Sequence, residues 1–156
     1  MEQSLIDIKS RFTELFGVDS GDIRMYSPLT LAYIGDAVYE LIVRTYIVER
    51  GNAPVNILHR QTADIVKAKT QAELVEAIQD LLSEDEVAAY KRGRNAKSYT
   101  KAKNASYSDY RKATGCEALI GYLYLQGDLG RALELIHEGL VRINVIESDP
   151  EKDRED

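Results

Sequence analysis

The sequence predicts an all-α fold in one domain, and two observations support this prediction. Apolar residues recur at steps of three and four through most of the chain, which is the spacing of one helical face. No stretch of six residues shows the alternating, valine-rich pattern of a strand. With 156 residues, 44% of them hydrophobic, the chain is long enough to bury one core. We therefore expect one domain over residues 1–146, followed by an acidic, disordered tail over residues 147–156.

Two helices are predicted in the first third of the chain. Residues 4–16 form a short amphipathic pattern, and residues 19–27 read as a loop. Ser27 suits an N-cap and Pro28 suits a first helical turn. A long helix should therefore run from there to about Arg50, before a Gly-Asn pair.

The other helices follow from the same signals. Ser83 and Glu86 form a capping box, which places a helix start at Glu84. The polar and basic segment from Gly93 to Tyr107 is weakly periodic and is predicted to be a loop. The remaining predicted ranges are Pro54 to Val66, 70–80, Glu84 to Gly93, a cap at Ser108 or a neighbour to about Gln126, and Leu129 to about Val145.

The stretch from Leu31 to Leu41 contains a carboxylate in an unusual setting. It is apolar on two helical stripes, a pattern typical of a helix that is buried on all sides. Asp36 lies in its middle, and a buried carboxylate is costly unless it is paired or binds a metal. Asp36 is therefore predicted to have a cationic partner.

Glu117 repeats this pattern in the predicted helix that follows the basic segment. Two such carboxylates on two buried helices could converge on one hard cation, and Gly121, one turn later, is expected to leave open space beside them. Mg²⁺ binds a few carboxylates and keeps several waters. The alternative is that each carboxylate pairs with an Arg or Lys in the core. Composition alone leaves both interpretations open.

A basic run lies between the two carboxylate segments, although the net charge of the chain is −6. Eight Lys or Arg residues fall between Lys91 and Lys112, against the single acid Asp109. Such a run is often only a solvated charged loop, but its local excess favours a polyanion site. The candidate contacts are Arg92, Arg94, Asn95, Lys97, Ser98, Lys101 and Lys103.

Other reactive side chains give weaker indications. His59 and His137 are isolated, which argues against a zinc site. Cys116 is the single cysteine and is expected to be a small buried hydrophobe. No apolar run is long enough for a membrane span, and no signal peptide is visible. A cytoplasmic location without membrane partners is therefore expected.

Two motifs resemble the catalytic domain of the ribonuclease III family. Ile34 to Leu41 reads Ile-Gly-Asp-Ala-Val-Tyr-Glu-Leu, and Glu117 to Gly121 reads Glu-Ala-Leu-Ile-Gly. The segments Leu31 to Asp36, Ala68 to Ala72 and Lys91 to Ser98 resemble the small bacterial subfamily called mini-ribonuclease III. The resemblance covers roughly residues 28 to 140.

The resemblance implies a ribonuclease III-type helical endonuclease domain that forms a homodimer. It implies metal-dependent cleavage of double-stranded RNA, with Mg²⁺ as the cofactor and Mn²⁺ as a substitute. It also implies a role in maturing the 23S ribosomal RNA precursor, with a ribosomal protein or the pre-ribosome as further candidate partners. Asp36 and Glu117 fall on two of the family's four catalytic acids, and both would be metal ligands.

The chain departs from the larger members of the family at two further positions. Ala32 and Thr114 stand where ribonuclease III proper has Glu and Asp, and mini-ribonuclease III is similar in lacking those acids. The acidic tail stands where larger members have a double-stranded-RNA-binding domain. A non-catalytic RNA-binding module on the same fold, or a helical interaction protein with structural ion pairs, are the alternative functions.

Overall fold

The computed structural model describes residues 8–19, 21–97 and 106–148. Within these ranges the chain is helical and contains no strand, which confirms the predicted all-α class. Of the predicted tail over residues 147–156, the part from residue 149 onward lies outside them. The helices are α1 (Ile8–Phe16), α2 (Pro28–Glu49), α3 (Val55–Val66), α4 (Ala68–Ala77), α5 (Glu84–Asn95), α6 (Tyr107–Leu125) and α7 (Leu129–Arg142), with short 3-10 turns at Ile23–Met25 and Gln79–Leu81.

Two helix starts form by the capping predicted from sequence. At α2, the Ser27 hydroxyl accepts the backbone N–H of Leu29 at 3.2 Å, and Pro28 occupies the first helical position. At α5, the Ser83 hydroxyl accepts the N–H of Glu86 at 3.2 Å, and the Glu86 carboxylate accepts the N–H of Ser83 at 2.8 Å. Each cap satisfies N–H groups that have no partner inside the helix.

The predicted end of α5 at Gly93 is wrong. The helix continues to Asn95, which makes the basic loop shorter than expected. A Cβ on Gly93 would lie 2.5 Å from the Cβ of Ala118 and 2.9 Å from the Cα of Gly115. Glycine lowers the intrinsic stability of a helix, but here it lets α5 pack closely against α6.

Ser106, a neighbour of Ser108, caps α6 by accepting the N–H of Asp109 at 3.0 Å. Two other boundaries differ from the prediction. Helix α4 covers Ala68–Ala77 instead of 70–80, because a 3-10 turn follows it. Helix α7 ends at Arg142, shortly before Asn144 adopts a left-handed backbone with φ 62°.

Helix α6 forms the centre of the fold and contacts α2, α4, α5 and α7. Every residue from Ala113 to Leu123 is buried except Glu117, which is partly buried. A helix that is buried on nearly all sides is expected to be apolar throughout. The carboxyl group of Glu117 is therefore an exception that requires a specific explanation.

The Ala68–Ala72 motif stabilises the corner between α3 and α4. The Thr70 hydroxyl donates to the Asp64 carbonyl at 2.7 Å, and the Gln71 amide donates to the Val66 carbonyl at 2.8 Å. The buried Tyr39 hydroxyl of α2 donates to the Ile65 carbonyl at 2.8 Å. The last carbonyls of a helix have no partner within it, so these side chains give the motif a structural role.

An ion pair joins the start of α5 to the start of α7. The Arg131 guanidinium binds the buried carboxylate of Glu86 through two hydrogen bonds of 3.0 Å, and it donates to the Leu81 carbonyl at 2.7 Å. The hydrogen bonds from Arg131 hold the pKa of Glu86 below its usual value. The elements around α6 are thereby fixed at this end. None of the described helices is long and apolar enough to cross a membrane.

Candidate metal and nucleic-acid site

Two glycines bring α2 and α6 into backbone contact. A Cβ on Gly35 would overlap the carbonyl group of Glu117, and a Cβ on Gly121 would overlap the carbonyl group of Leu31. The prediction of open space beside Gly121 is therefore wrong, because the backbone of α2 fills that space. Only residues without a side chain allow two helices to approach this closely. The crossing places Asp36, next to Gly35, beside Glu117.

The carboxyl groups of Asp36 and Glu117 are in hydrogen-bonding contact across this crossing. Burial, and then the hydrogen bond to Asp36 and its negative charge, raise the pKa of Glu117 from 4.5 to about 9. Without a cation, Glu117 is protonated near neutral pH and donates its O–H to Asp36. Asp36 itself is exposed, so the prediction that it is buried is wrong.

The described residues contain no Lys or Arg within 4 Å of either carboxylate. The ion-pair alternative raised by the sequence is therefore not observed in this part of the chain. Glu40, one turn after Asp36, is different because Arg44 pairs with it at 2.9 Å. Its charge is already compensated, which fits a structural role.

Ala32 and Thr114, the two positions where the resemblance leads one to look for further acids, carry no charge. Ala32 is buried one turn before Asp36 on α2. Thr114 is buried nearly one turn before Glu117, and its hydroxyl donates to the Tyr110 carbonyl at 3.0 Å. Neither side chain can replace a carboxylate ligand.

A divalent cation fits the pair of carboxylates. Among the residues that the structure describes, no third His, Cys, Asp or Glu joins them. The protein thus offers two carboxyl groups, of which Asp36 is exposed and Glu117 is partly buried, so water and phosphate oxygens would complete the shell of an ion. Mg²⁺ favours this combination of few carboxylates and several waters. Asp36 and Glu117 are the residues that would hold it.

The ionisation of Glu117 gives a testable pH dependence. Because folding raises its pKa from 4.5 to about 9, its contribution to stability is complete below pH 4.5 and is lost as the pH rises through about 9. The Glu117→Gln variant is neutral at every pH and lacks this loss. In EDTA, we expect the wild type to become progressively less stable than the variant between pH 5 and 9. Thermal unfolding of both proteins across this pH range measures the difference. Parallel pH profiles of the two melting temperatures would contradict the prediction.

No nucleophilic cysteine is present at the crossing. Cys116 is buried, as predicted, and burial raises the pKa of its thiol far above the neutral range. A thiol must lose its proton to act as a nucleophile. His59 and His137 are both exposed, and neither belongs to a metal-binding group within the described chain.

Four of the predicted RNA-contact residues, Arg92, Arg94, Asn95 and Lys97, lie within the described chain. Arg92 donates to the Tyr26 carbonyl at 3.0 Å and lies against the loop before α2. Arg94 and Asn95 end α5, where the Arg94 Nε donates to the Asn95 side-chain oxygen at 3.2 Å. Lys97 is exposed. Ser98, Lys101 and Lys103 lie outside the described residues.

Arg111 is a candidate binding residue that the sequence prediction omitted from its list. Its Nε donates to the Arg94 carbonyl at 2.9 Å, and its Nη2 donates to the Asn95 side-chain oxygen at 3.0 Å. Arg111 therefore connects the two flanks of the basic segment. It was counted in the basic run, but its spacing of 17 residues from Arg94 gave no sign of this contact.

An exposed apolar stripe runs along α2, contrary to the predicted burial on all sides. Tyr33 is 81% exposed, Leu41 64% and Val48 58%, and Leu29 begins the stripe. Steps of four, eight and seven place these residues toward one side of the helix. Each of the two apolar stripes predicted from the sequence is divided between core and surface. In the first, Leu31 and Val38 are buried whereas Leu41 and Val48 are exposed. In the second, Val43 and Ile47 are buried whereas Tyr33 is exposed. We call Leu29, Tyr33, Leu41 and Val48 the α2 stripe.

Comparisons with known proteins all indicate the same family. Residues 29–128 match the model of the Ribonuclease III domain family. The chain is 51% identical to a Mini-ribonuclease 3 of Clostridium tetani over 116 residues, which cover 74% of this chain and 77% of that protein. It is 48% identical to a Mini-ribonuclease 3 of Thermoanaerobacter sp. over 147 residues, covering 94% and 99% of the two chains. A crystal structure of a Fusobacterium nucleatum protein is similar with a TM-score of 0.70 and 33% identity, covering 76% of this chain and 97% of that one.

Proposed function

The chain belongs to the ribonuclease III family of endoribonucleases, in its mini-ribonuclease III branch, and from this premise we propose that it hydrolyses double-stranded RNA with the help of a divalent metal ion. One observation supports the proposal above the others. Asp36 and Glu117 meet at a backbone-to-backbone helix crossing, and no cation is paired with either among the described residues.

Asp36 and Glu117 would hold Mg²⁺, with Mn²⁺ as a substitute. Such an ion supplies positive charge that stabilises the transition state of phosphodiester hydrolysis and makes a water molecule more acidic. Glu117 must release its proton before it can act as a ligand, so ion binding is coupled to proton release. The exposed position of Asp36 leaves the pair accessible to a phosphodiester. Addition of water across the P–O3′ bond leaves a 5′-phosphate and a 3′-hydroxyl.

The proposed substrate is the 23S ribosomal RNA precursor, processed in the cytoplasm with a ribosomal protein or the pre-ribosome as a further partner. Duplex RNA is recognised largely through its A-form shape and backbone. The cations from Arg92 to Lys103 would bind that backbone. Because phosphate contacts release counterions, binding should weaken steeply as salt rises.

One assay tests this function against its alternative. Duplex RNA, the corresponding single strand and a DNA duplex are incubated with the protein in Mg²⁺ or in EDTA. We expect cleavage of duplex RNA only in Mg²⁺, with 5′-phosphate ends. The absence of acids at Ala32 and Thr114 favours one alternative, an RNA-binding module without turnover. Duplex binding without any product in Mg²⁺ or Mn²⁺ would establish that alternative.

The α2 stripe supports the proposal of a homodimer. Isolated apolar side chains are common on protein surfaces, but several large ones on one side of a single helix are more typical of an interface. The stripe lies on the same helix as Asp36, and Tyr33 is three residues before it. A second copy that covers this face would place two carboxylate pairs in one assembly, with one pair for each RNA strand.

A charge on the stripe should separate the two copies. Leu41→Glu places a carboxylate in the apolar face, and its desolvation would oppose association. We expect sedimentation velocity to show a species of half the wild-type mass. Met25→Glu is the control, because Met25 is equally apolar and 82% exposed but lies outside the stripe. A wild-type protein that is already monomeric at micromolar concentration would refute the dimer.

A further inference from the structure

Two guanidinium groups are brought together at the flanks of the basic segment. The side-chain oxygen of Asn95 accepts one hydrogen bond from Arg94 Nε at 3.2 Å and another from Arg111 Nη2 at 3.0 Å. Arg111 Nε is fixed by its bond to the Arg94 carbonyl at 2.9 Å. One neutral oxygen therefore accepts hydrogen bonds from two positively charged groups, one at the end of α5 and one near the start of α6.

The nearby charges do not compensate this pair. In the described parts of the chain, no carboxylate lies within 4 Å of Arg94 or Arg111. Lys112 is already paired with Glu76 at 3.0 Å. Asp109 is two positions before Arg111, and residues two apart do not face each other on a helix. Two adjacent cations that have no anionic partner among the described residues are expected to attract one.

Aromatic rings help to keep the two guanidinium groups in place. Arg94 lies over the ring of Tyr90 with 5.6 Å to its centroid, and Arg111 lies over the ring of Tyr107 with 5.7 Å. A cation over an aromatic face is modestly stabilised. Because each group is held by a ring and by Asn95, the arrangement is organised before any ligand binds.

The two groups open into a cleft of about 320 Å³. Its lining residues are Arg94, Ser108, Arg111 and Lys112, and every one of them can donate hydrogen bonds. Phosphate oxygens only accept hydrogen bonds, and the planar fork of arginine matches two of them at once. The chemistry of the lining therefore favours a phosphate group.

We propose that this cleft, which we name the Arg94–Arg111 seat, binds one phosphodiester of the RNA backbone. The proposal rests on the proposed function, because it assumes that duplex RNA is the ligand. It adds Arg111 to the binding residues. It also changes the role of Asn95, whose oxygen orients the two guanidinium groups instead of contacting RNA.

The seat lies beside the carboxylate pair and not within it. Arg111 is six residues before Glu117 on α6, which corresponds to about 9 Å along the helix axis and a rotation of about 120°. A phosphate bound there is therefore not the one that is cleaved. The seat should therefore affect the affinity for RNA and leave the rate at saturation almost unchanged.

Three variants test the seat by fluorescence anisotropy of labelled duplex RNA in EDTA, over a series of salt concentrations. Arg111→Gln should bind about tenfold more weakly at moderate salt, and the slope of log affinity against log salt should fall by about one. Arg111→Lys should restore the slope but not the full affinity, since lysine lacks the fork. Asn95→Asp places a carboxylate between the two cations and should weaken binding at least as much as Arg111→Gln.

The control is Arg50→Gln. Arg50 is exposed and lies over the Tyr46 ring with 5.4 Å to its centroid, but it belongs to no arginine pair among the described residues. It should bind RNA like the wild type. Thermal unfolding checks that each variant is folded. If Arg111→Gln is not folded, the affinity of Asn95→Asp for RNA tests the seat instead.

The outcomes separate the seat from the proposed function. If Arg111→Gln and Asn95→Asp bind RNA with wild-type affinity and slope, the seat is refuted while cleavage by the wild type is unaffected. If Arg111→Gln lowers the single-turnover rate at saturating protein and keeps its affinity, the seat is also refuted. If the wild type binds duplex RNA but does not cut it in Mg²⁺, the proposed function fails, and the binding data still test the seat.

Discussion

Replacing Asp36 by Asn is expected to abolish cleavage of duplex RNA and to leave RNA binding intact. Asp36 and Glu117 are the two carboxylates that the described chain offers at the crossing, so the loss of one charge should prevent productive metal binding. We expect the single-turnover rate to fall at least about a thousandfold, on the order of 4 kcal/mol of transition-state stabilisation. Anisotropy in EDTA should show wild-type affinity for RNA.

Glu40→Gln is the matched control for this result. Glu40 lies one turn later on the same helix, but Arg44 compensates its charge. Its removal breaks a largely solvated ion pair, which contributes little to stability. We expect cleavage within a few-fold of the wild type. The catalytic assignment fails if Asp36→Asn cuts RNA at the wild-type rate, or if both variants are equally impaired.

Replacing Gly35 by Ala should destabilise the domain and remove activity together. The new methyl group would overlap the carbonyl group of Glu117, and this backbone cannot move without separating α2 from α6. Overpacking commonly costs about 1–3 kcal/mol, and a clash with backbone should reach or exceed the upper end. Separation of the helices would also move Asp36 away from Glu117. Denaturant unfolding measures the first effect, and duplex cleavage measures the second.

Gly21→Ala provides the comparison for this substitution. Gly21 has no positive φ, and no atom lies within 4 Å of a Cβ built there. The same chemical change should therefore be nearly neutral at Gly21. An unaltered unfolding midpoint and cleavage rate for Gly35→Ala would show that the close crossing is not required.

Local signals predicted most of the helices because they act within one turn. The Ser27–Pro28 start and the Ser83–Glu86 capping box both depend on neighbours in the sequence, and both formed as predicted. The end of α5 did not follow this logic. Gly93 is a poor helix former by itself. In the fold it packs against Ala118 and Gly115 of α6, and this contact between helices lets α5 continue past it. Sequence spacing carries no information about that contact.

The carboxylate pair was predictable from its residues, but its setting was not. An acid in an apolar helix identified both Asp36 and Glu117. Periodicity cannot distinguish an apolar stripe that packs in the core from one that stays on the surface, so Asp36 was wrongly placed in the interior. The sequence also predicts open space beside Gly121, because a glycine alone does not reveal that the backbone near Leu31 packs against it.

Arg111 shows a different limit of sequence reasoning. Composition identified a basic run, and every cation in it looked equivalent. In the structure these cations have different partners. Arg92 donates to the Tyr26 carbonyl, whereas Arg94 and Arg111 both donate to the Asn95 side-chain oxygen. These contacts join positions up to 66 residues apart, and only the tertiary structure brings them together.

Paramagnetic broadening by Mn²⁺ tests the central claim that Asp36 and Glu117 hold the metal ion. Substoichiometric Mn²⁺ is added to ¹⁵N-labelled protein, and the loss of amide signals locates the ion. We expect broadening around Gly35, Asp36 and Glu117 in the wild type and in Glu40→Gln. In Asp36→Asn and in Glu117→Gln it should disappear. Equal broadening at these amides in all four proteins, or broadening centred elsewhere, would contradict the claim.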